Sequence, residues 1–356
     1  MKTRSKKPLA SKKTPPVKLS FDDIALTKKL LGEINDRARE VLTLRFGLGS
    51  SNERETLEAI GERWHITRER VRQIEAAGIE AIRNSKVFKE SERAFNDLRS
   101  HLDSMGGIVH EDELLESLAS DAKSRNRFHF LLVAGSSFFR ERETDDFYAR
   151  WHINHETAEK VHSALTRLYA SLKDDEVVPE AEMLERFLSE LKEVNTAYRD
   201  EAILKRWLCL SKNIACNPLS EWGKVTSEGI RTKGIRDYAY LVVKRNGTPM
   251  HFRDVASAIT KMFAKKAHVA TTHNELMKDS RFVLVGRGLY ALSEWGFNPG
   301  VVRDVIKDVL KEKPLTKDQV LSAVKKVRYV KDNTILVNLN DARFFKRLKN
   351  GTYALS

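Results

Sequence analysis

Arg68, Glu69 and Gln73 fall within two turns of what their spacing predicts to be a helix. Arginine pairs in bidentate fashion with guanine, glutamate accepts from the cytosine amine, and glutamine pairs with adenine, so this trio has the chemistry to read duplex DNA in the major groove. Arg72 and Ala76 fall on the side of Glu69 and Gln73, and the small alanine lets a helix sit deep.

The elements that must hold these side chains can be read around them. Thr56 is placed to cap a short helix in which Leu57 and Ile60 share a face; His65-Ile66-Thr67 breaks it, and Thr67 caps a second helix. On that second helix Val71, Ile74, Gly78 and Ile82 line one side at 3.6-residue spacing. Packing therefore consumes one face and leaves the polar face open.

Three runs carry a family resemblance: Arg37-Ala-Arg-Glu-Val-Leu-Thr-Leu-Arg-Phe-Gly-Leu48, Thr56-Leu-Glu-Ala-Ile-Gly-Glu-Arg63 and Thr67-Arg-Glu-Arg-Val-Arg-Gln-Ile-Glu-Ala76. Across residues 37–83 the chain resembles region 4 of the sigma-70 family, the bacterial sigma-factor segment that reads the minus-35 promoter element. The resemblance implies base contacts by Arg68, Glu69 and Gln73. It implies backbone contacts near Arg45, Thr56, Leu57, Arg70 and Arg72, and docking on the flap of the RNA polymerase beta subunit. Where the family usually keeps a basic run after the recognition helix, this chain has the nearly neutral Ala77-Gly-Ile-Glu-Ala-Ile82. No segment resembles the sigma domains that grip core polymerase and melt the minus-10 element.

Composition bounds the rest. The chain has 356 residues, 41% of them hydrophobic, which suits two to four domains with real cores. No apolar run is long enough to span a bilayer, and the start of the chain has no apolar signal core, so a bacterial cytoplasmic protein of the nucleoid is expected, with no membrane partner. Cys209 and Cys216 are not paired at metal-ligand spacing and read as ordinary packing residues. The net charge of +13 is segregated: +7 over residues 1–20, zero over 21–86, −8 over 87–228 and +14 over 229–356. Basic ends can track phosphates, whereas the acidic middle is repelled by them.

Residues 1–20 lack the apolar surface to fold and read as a basic disordered arm. The helix-turn-helix domain is expected over residues 21–90. Beyond it the sequence reads as one unit used four times, over 91–155, 156–225, 226–296 and 297–356. Leu219-Ser-Glu-Trp-Gly223 recurs as Leu292-Ser-Glu-Trp-Gly296, and Tyr290-Ala-Leu-Ser293 recurs as Tyr353-Ala-Leu-Ser356, with Phe147-Tyr-Ala-Arg-Trp151 a looser copy. On this alignment Trp151, Trp222 and Trp295 correspond. The third unit reads as helix, turn, helix, short helix and hairpin, the order of a winged helix. Through Pro249-Met-His-Phe252, Asp279-Ser-Arg-Phe-Val283 and Gly286-Arg-Gly-Leu-Tyr-Ala-Leu292 it resembles the HARE-HTH domain, the module also found in the delta subunit of bacterial RNA polymerase. The expected fold class is mainly α: a helix-turn-helix domain followed by tandem small winged-helix (α+β) units.

Other chemistry has little support. Gly286-Arg-Gly288 lies inside a hairpin without the helix that would hold a phosphate. Its Arg287, with Arg343, Lys346, Arg347 and Lys349, sits where wings project, and these are the candidate wing contacts to DNA. His152, His155 and His162 cluster in sequence but lack a carboxylate at metal-site spacing, so no metal is expected. The aromatics Phe128, Phe130, Phe138, Phe139, Phe147, Tyr148 and Trp151 read as core. No nucleophile elbow, Walker loop, HExxH or catalytic carboxylate pair occurs, so neither an enzyme, a cofactor nor a small-molecule substrate is expected. The leading reading is a sequence-specific DNA-binding transcription regulator. The alternatives are an RNA polymerase-associated adaptor or sigma-like initiation factor, and a non-specific nucleoid architectural protein.

Overall fold

The computed structural model describes residues 16–191, 195–297, 302–327 and 330–356. These residues are mainly helical, with small antiparallel sheets, and form two compact units that divide at Ile230/Arg231.

The first unit begins with five helices: α1 (Asp23–Gly32), α2 (Asp36–Phe46), α3 (Leu57–Trp64), α4 (Arg68–Asn84) and α5 (Lys86–Glu90). Asp22, Asn35, Thr56, Thr67 and Ser85 each cap the following helix with a side-chain oxygen, satisfying N–H groups that the helix itself cannot reach. Gly47, at φ 63°, ends α2 in the left-handed conformation that glycine adopts without steric cost. Residues 1–15 of the expected arm lie outside the described residues. Its last residues are held: Val17 N–H donates to the Ser117 carbonyl, Leu19 packs on the core, and Ser20 Oγ meets Asp97.

A second pattern then repeats. In the first unit, α6 (Glu92–Ser104), β1 (Ile108–His110), α7 (Glu111–Leu118), α8 (Ala122–Ala134), β2 (Phe139–Glu141) and β3 (Arg150–His152) are followed by a like set. That set is α9 (His155–Ser171), β4 (Val178–Pro179), α10 (Glu180–Glu190), α11 (Glu201–Leu208), β5 (Ile214–Cys216) and β6 (Glu221–Lys224). The second compact unit holds α12 (Ile235–Asn246), β7 (Met250–His251), α13 (Phe252–Phe263), α14 (Val269–Lys278), β8 (Phe282–Gly286) and β9 (Leu289–Leu292). It continues through α15 (Val302–Leu310), β10 (Leu315–Thr316), α16 (Lys317–Val327), α17 (Asp332–Leu339), β11 (Phe345–Arg347) and β12 (Thr352–Leu355). In each set the last strand lies between the other two, giving a three-stranded antiparallel sheet that backs three helices.

Strand register corrects the tryptophan alignment. Trp151 pairs with Val109 and Trp222 with Val178, and the same places in the third and fourth sheets are held by Tyr290, opposite Met250, and Tyr353, opposite Leu315. Trp151 and Trp222 are buried, and each indole N–H donates to the first residue of the second helix, Glu111 at 3.0 Å and Glu180 at 3.3 Å. Trp295 instead follows β9 in a 3₁₀ turn and is only half-buried. The shared Leu-Ser-Glu-Trp-Gly run therefore has two different backbones, a strand in one set and a turn in the other.

Most of the expected aromatic core is buried, including Phe128, Phe130, Phe138 and Trp151. Phe147 and Tyr148 are half-buried, and Phe139 lies outside the core. It is 50% exposed on β2, and its ring stacks on His152 across the sheet.

In the second compact unit, Arg281 holds two acids. Its Nη2 donates to Asp237 at 2.8 Å and to Asp279 at 2.6 Å, while Asp237 also accepts from the Lys233 and Gly234 N–H groups at the start of α12. Burial pushes both carboxyls up, but these donors outweigh it and both titrate below their ordinary value. A depressed carboxylate stabilises the fold above its unfolded value, 3.8, and that contribution is lost as pH falls through the lower folded value. The unfolding temperature of this unit should therefore drop below pH 3.8, and Asp237→Asn should flatten the drop in acid thermal scans.

Candidate nucleic-acid interface

The helix-turn-helix is built by local contacts. Thr56 Oγ1 accepts from the Ala59 N–H at 3.1 Å and starts α3; Thr67 Oγ1 accepts from the Arg70 N–H at 3.2 Å and starts α4. Between them His65 takes a left-handed conformation, φ 53°, and the Ile66 N–H reaches back to the Gly61 carbonyl. A Cβ on Gly61 would stand 2.6 Å from the Ile66 carbonyl oxygen, so the turn closes only around glycine. Gly78 plays a comparable part where α4 crosses α2: an added Cβ would meet Ala38 and Leu42 at 3.3 Å.

Packing takes the expected face and more. Val71, Gly78 and Ile82 are buried and Ile74 is half-buried, while Ile79 is buried as well because α8 lies against this end of α4. Arg83 fastens that contact by donating to the carbonyls of Val133, Ala134 and Gly135 at the end of α8. The opposite face of α4 carries Arg68, Glu69, Arg72, Gln73 and Ala76, all exposed. The structure thus brings the expected reading residues together at the open N-terminal half of a 17-residue helix.

The arginines at the start of α4 already have partners. Arg68 Nη1 lies 3.0 Å from Glu58 of α3, Arg72 makes a two-point pair with Glu69, and Arg70 donates to Gln73 Oε1 at 3.2 Å. The Arg72 guanidinium holds the Glu69 carboxyl below its usual range, so Glu69 is an acceptor at neutral pH. Exposed pairs of this kind are screened by solvent and hold weakly, so exchanging them for a base or a phosphate costs little.

The residues that resemblance places at the backbone divide into two groups. Arg70 and Arg72 are exposed. Arg45 is committed internally, with Nη1 donating to the Glu55 carbonyl at 3.1 Å and Nε 3.6 Å from Glu75. Burial pushes the Glu75 carboxyl up, which suits a group shielded beneath Arg45. The Thr56 hydroxyl is used as a helix cap, and Leu57 packs on the small core of Val41, Ile60 and Val71. Sequence reasoning missed Arg37. It lies over the Trp64 ring and lines, with Glu33, Asn35, Arg70 and Gln73, a groove of about 450 Å³ beside α4.

The wing candidates lie on the second compact unit. Arg287 is exposed at the β8–β9 turn, and Lys349 at the β11–β12 turn. Lys346 and Arg347 are exposed on β11, where adjacent residues point to opposite faces. Arg343 lies before β11 rather than at the tip, paired with Asp341 at 2.8 Å.

The histidine expectation needs correction. His152 and His155 do have a carboxylate neighbour, Glu141, which β2–β3 pairing delivers across the sheet, and His162 approaches the same carboxylate at 4.0 Å.

These capped helices and their turn form a helix-turn-helix. Residues 30–84 match the family model described as sigma-70, region 4. The same part of the chain is 42% identical over 60 residues to the RNA polymerase sigma factor RpoD of Helicobacter pylori, covering 17% of this chain and 9% of that protein. It is 46% identical over 57 residues to the sigma factor RpoS of Coxiella burnetii, covering 16% of each, and 45% identical over 62 residues to SigA of Clostridium acetobutylicum, covering 17% and 16%. The chain thus spans less than a fifth of these relatives. No helix among the described residues is long and apolar enough to cross a membrane.

The caps make a direct prediction. Thr67→Ala removes the oxygen that satisfies the first turn of α4 and should cost about 1 kcal/mol in denaturant unfolding.

Proposed function

We propose that this protein is a sequence-specific DNA-binding transcription regulator, a binding protein and not a catalyst, working in the bacterial cytoplasm on the nucleoid. The observation that carries the reading is the exposed face of α4, where Arg68, Glu69 and Gln73 stand together behind a capped turn. In this reading α4 enters the major groove, with Arg68, Glu69 and Gln73 at base edges and Arg70, Arg72 and Arg37 at phosphates. Arg45, Thr56 and Leu57 hold the geometry, with any backbone contact secondary. The four repeated sets act as winged-helix units, the third of the HARE-HTH type. Those of the basic second compact unit add phosphate affinity through Arg287, Lys346, Arg347 and Lys349.

The basic N-terminal residues add to affinity without reading sequence. Deleting residues 1–15 should weaken binding to every duplex alike and reduce the steepness of log affinity against log salt by roughly one for each phosphate the arm neutralises. Fluorescence anisotropy titrations at several salt concentrations check this. Failure of the full chain to bind any duplex at low salt would sink the proposal.

A second reading, an adaptor of the transcription machinery, is favoured by the identity of the relatives, which are RNA polymerase sigma factors. On this reading core polymerase is a partner, and tagged protein recovered from its own cells at low salt carries polymerase subunits with it. Their absence counts against it.

A further inference from the structure

We infer that Glu141, His152 and His155 form a binding site for a divalent transition-metal ion of the zinc class. One ligand atom from each lies within 4.8 Å of the others. Each reaches the site from a different element. Glu141 ends β2, His152 ends β3 on the diagonal across the pair, and His155 begins α9.

The distances suit an ion. Glu141 Oε1 lies 3.2 Å from His152 Nε2. Two ligand atoms bound to one tetrahedral zinc at about 2.0–2.1 Å stand roughly 3.3 Å apart, so this pair is already spaced as two ligands. Arg150 occupies the other oxygen of Glu141, which leaves Oε1 to face the site. The His155 side chain is 72% exposed and has room to close the remaining gap. Its imidazole lies 3.1 Å from Glu159, one helical turn further along α9, so a second carboxylate stands next to this ligand.

The ring is also held in position: the His152 side chain is 3% exposed, Phe139 and His155 stack against it, and its Nε2 faces Glu141. Two imidazoles with a carboxylate are a nitrogen and oxygen donor set of the kind zinc takes. An ion here would clamp the β2–β3 hairpin of one repeat to the first turn of the helix that opens the next.

The test uses the full chain without a histidine tag, stripped with chelator and titrated with zinc chloride in a calorimeter. We expect one equivalent to bind and to raise the unfolding temperature of the protein. His155→Ala should weaken binding by about tenfold or more, since loss of even an outer-shell partner costs about 10–100-fold. That variant should also lose the thermal shift while its metal-free unfolding stays unchanged, because the side chain is exposed. Cobalt substitution gives a second readout, visible d–d bands that appear in the parent protein and are lost in His155→Ala. Absence of stoichiometric binding, or binding that His155→Ala leaves unchanged, overturns the assignment.

Discussion

Phe130→Ala should cost the first compact unit about 3–5 kcal/mol, the range for removing a fully buried aromatic ring. Phe130 is 0% exposed on α8, with its ring set edge-on to Phe46 of α2 at 5.5 Å. It therefore sits in a core shared by the helix-turn-helix and the first repeat, together with Leu30, Leu42, Ile82 and Leu131. Polar contacts bind the same surfaces. Asn126 of α8 donates to the carbonyls of Gly47 and Asn52 and accepts from Arg54, and Arg127 pairs with Asp23 of α1 at 2.5 Å. We expect the helix-turn-helix and the first repeat to unfold together in one transition that the variant shifts as a whole. Denaturant unfolding followed by near-ultraviolet circular dichroism checks this. A separate early transition for the helix-turn-helix, with Phe130→Ala costing under about 1 kcal/mol, would show that α8 merely rests on it.

The second large effect is on recognition. Arg68→Ala and Gln73→Ala should each cost about 1–3 kcal/mol on the preferred DNA sequence and little on others. Both side chains are exposed, so the variants remove base contacts without opening the core. Arg68 also releases Glu58 when it is removed, and the freed carboxylate adds a mild repulsion toward DNA. Arg70→Ala, by contrast, should weaken all duplexes by a similar factor, because a phosphate contact positions the protein without reading sequence. Binding titrations with matched and scrambled duplexes separate the two behaviours.

The parts of this molecule that can be read in its sequence are those set by neighbours in the chain. Thr56 and Thr67 announce their helices because a cap needs only an oxygen three residues before the N–H it accepts from. The polar face of α4 follows from helical spacing alone. The features that stay hidden depend on residues far apart. Nothing near Ile79 marks it as buried, because α8 covers it from about fifty residues away along the chain. Glu141 has no visible tie to His152 in the sequence, because only the β2–β3 register brings them together. Trp295 invites alignment with Trp222 because each lies in the same five-residue run, yet one run forms a strand and the other a turn. Arg45 resembles a phosphate ligand in sequence and is tied to Glu55 and Glu75 in space.

The central claim is that α4 reads DNA bases, and selection from a pool of random-sequence duplexes tests it most directly. The full chain and the Arg68→Ala Gln73→Ala double variant would be carried through the same rounds and their bound pools sequenced. The account predicts that the parent protein enriches a short defined element and that the double variant loses that preference while keeping salt-sensitive affinity for duplex DNA. Recovery of no preferred element by the parent protein, or of the same element by both, would contradict it.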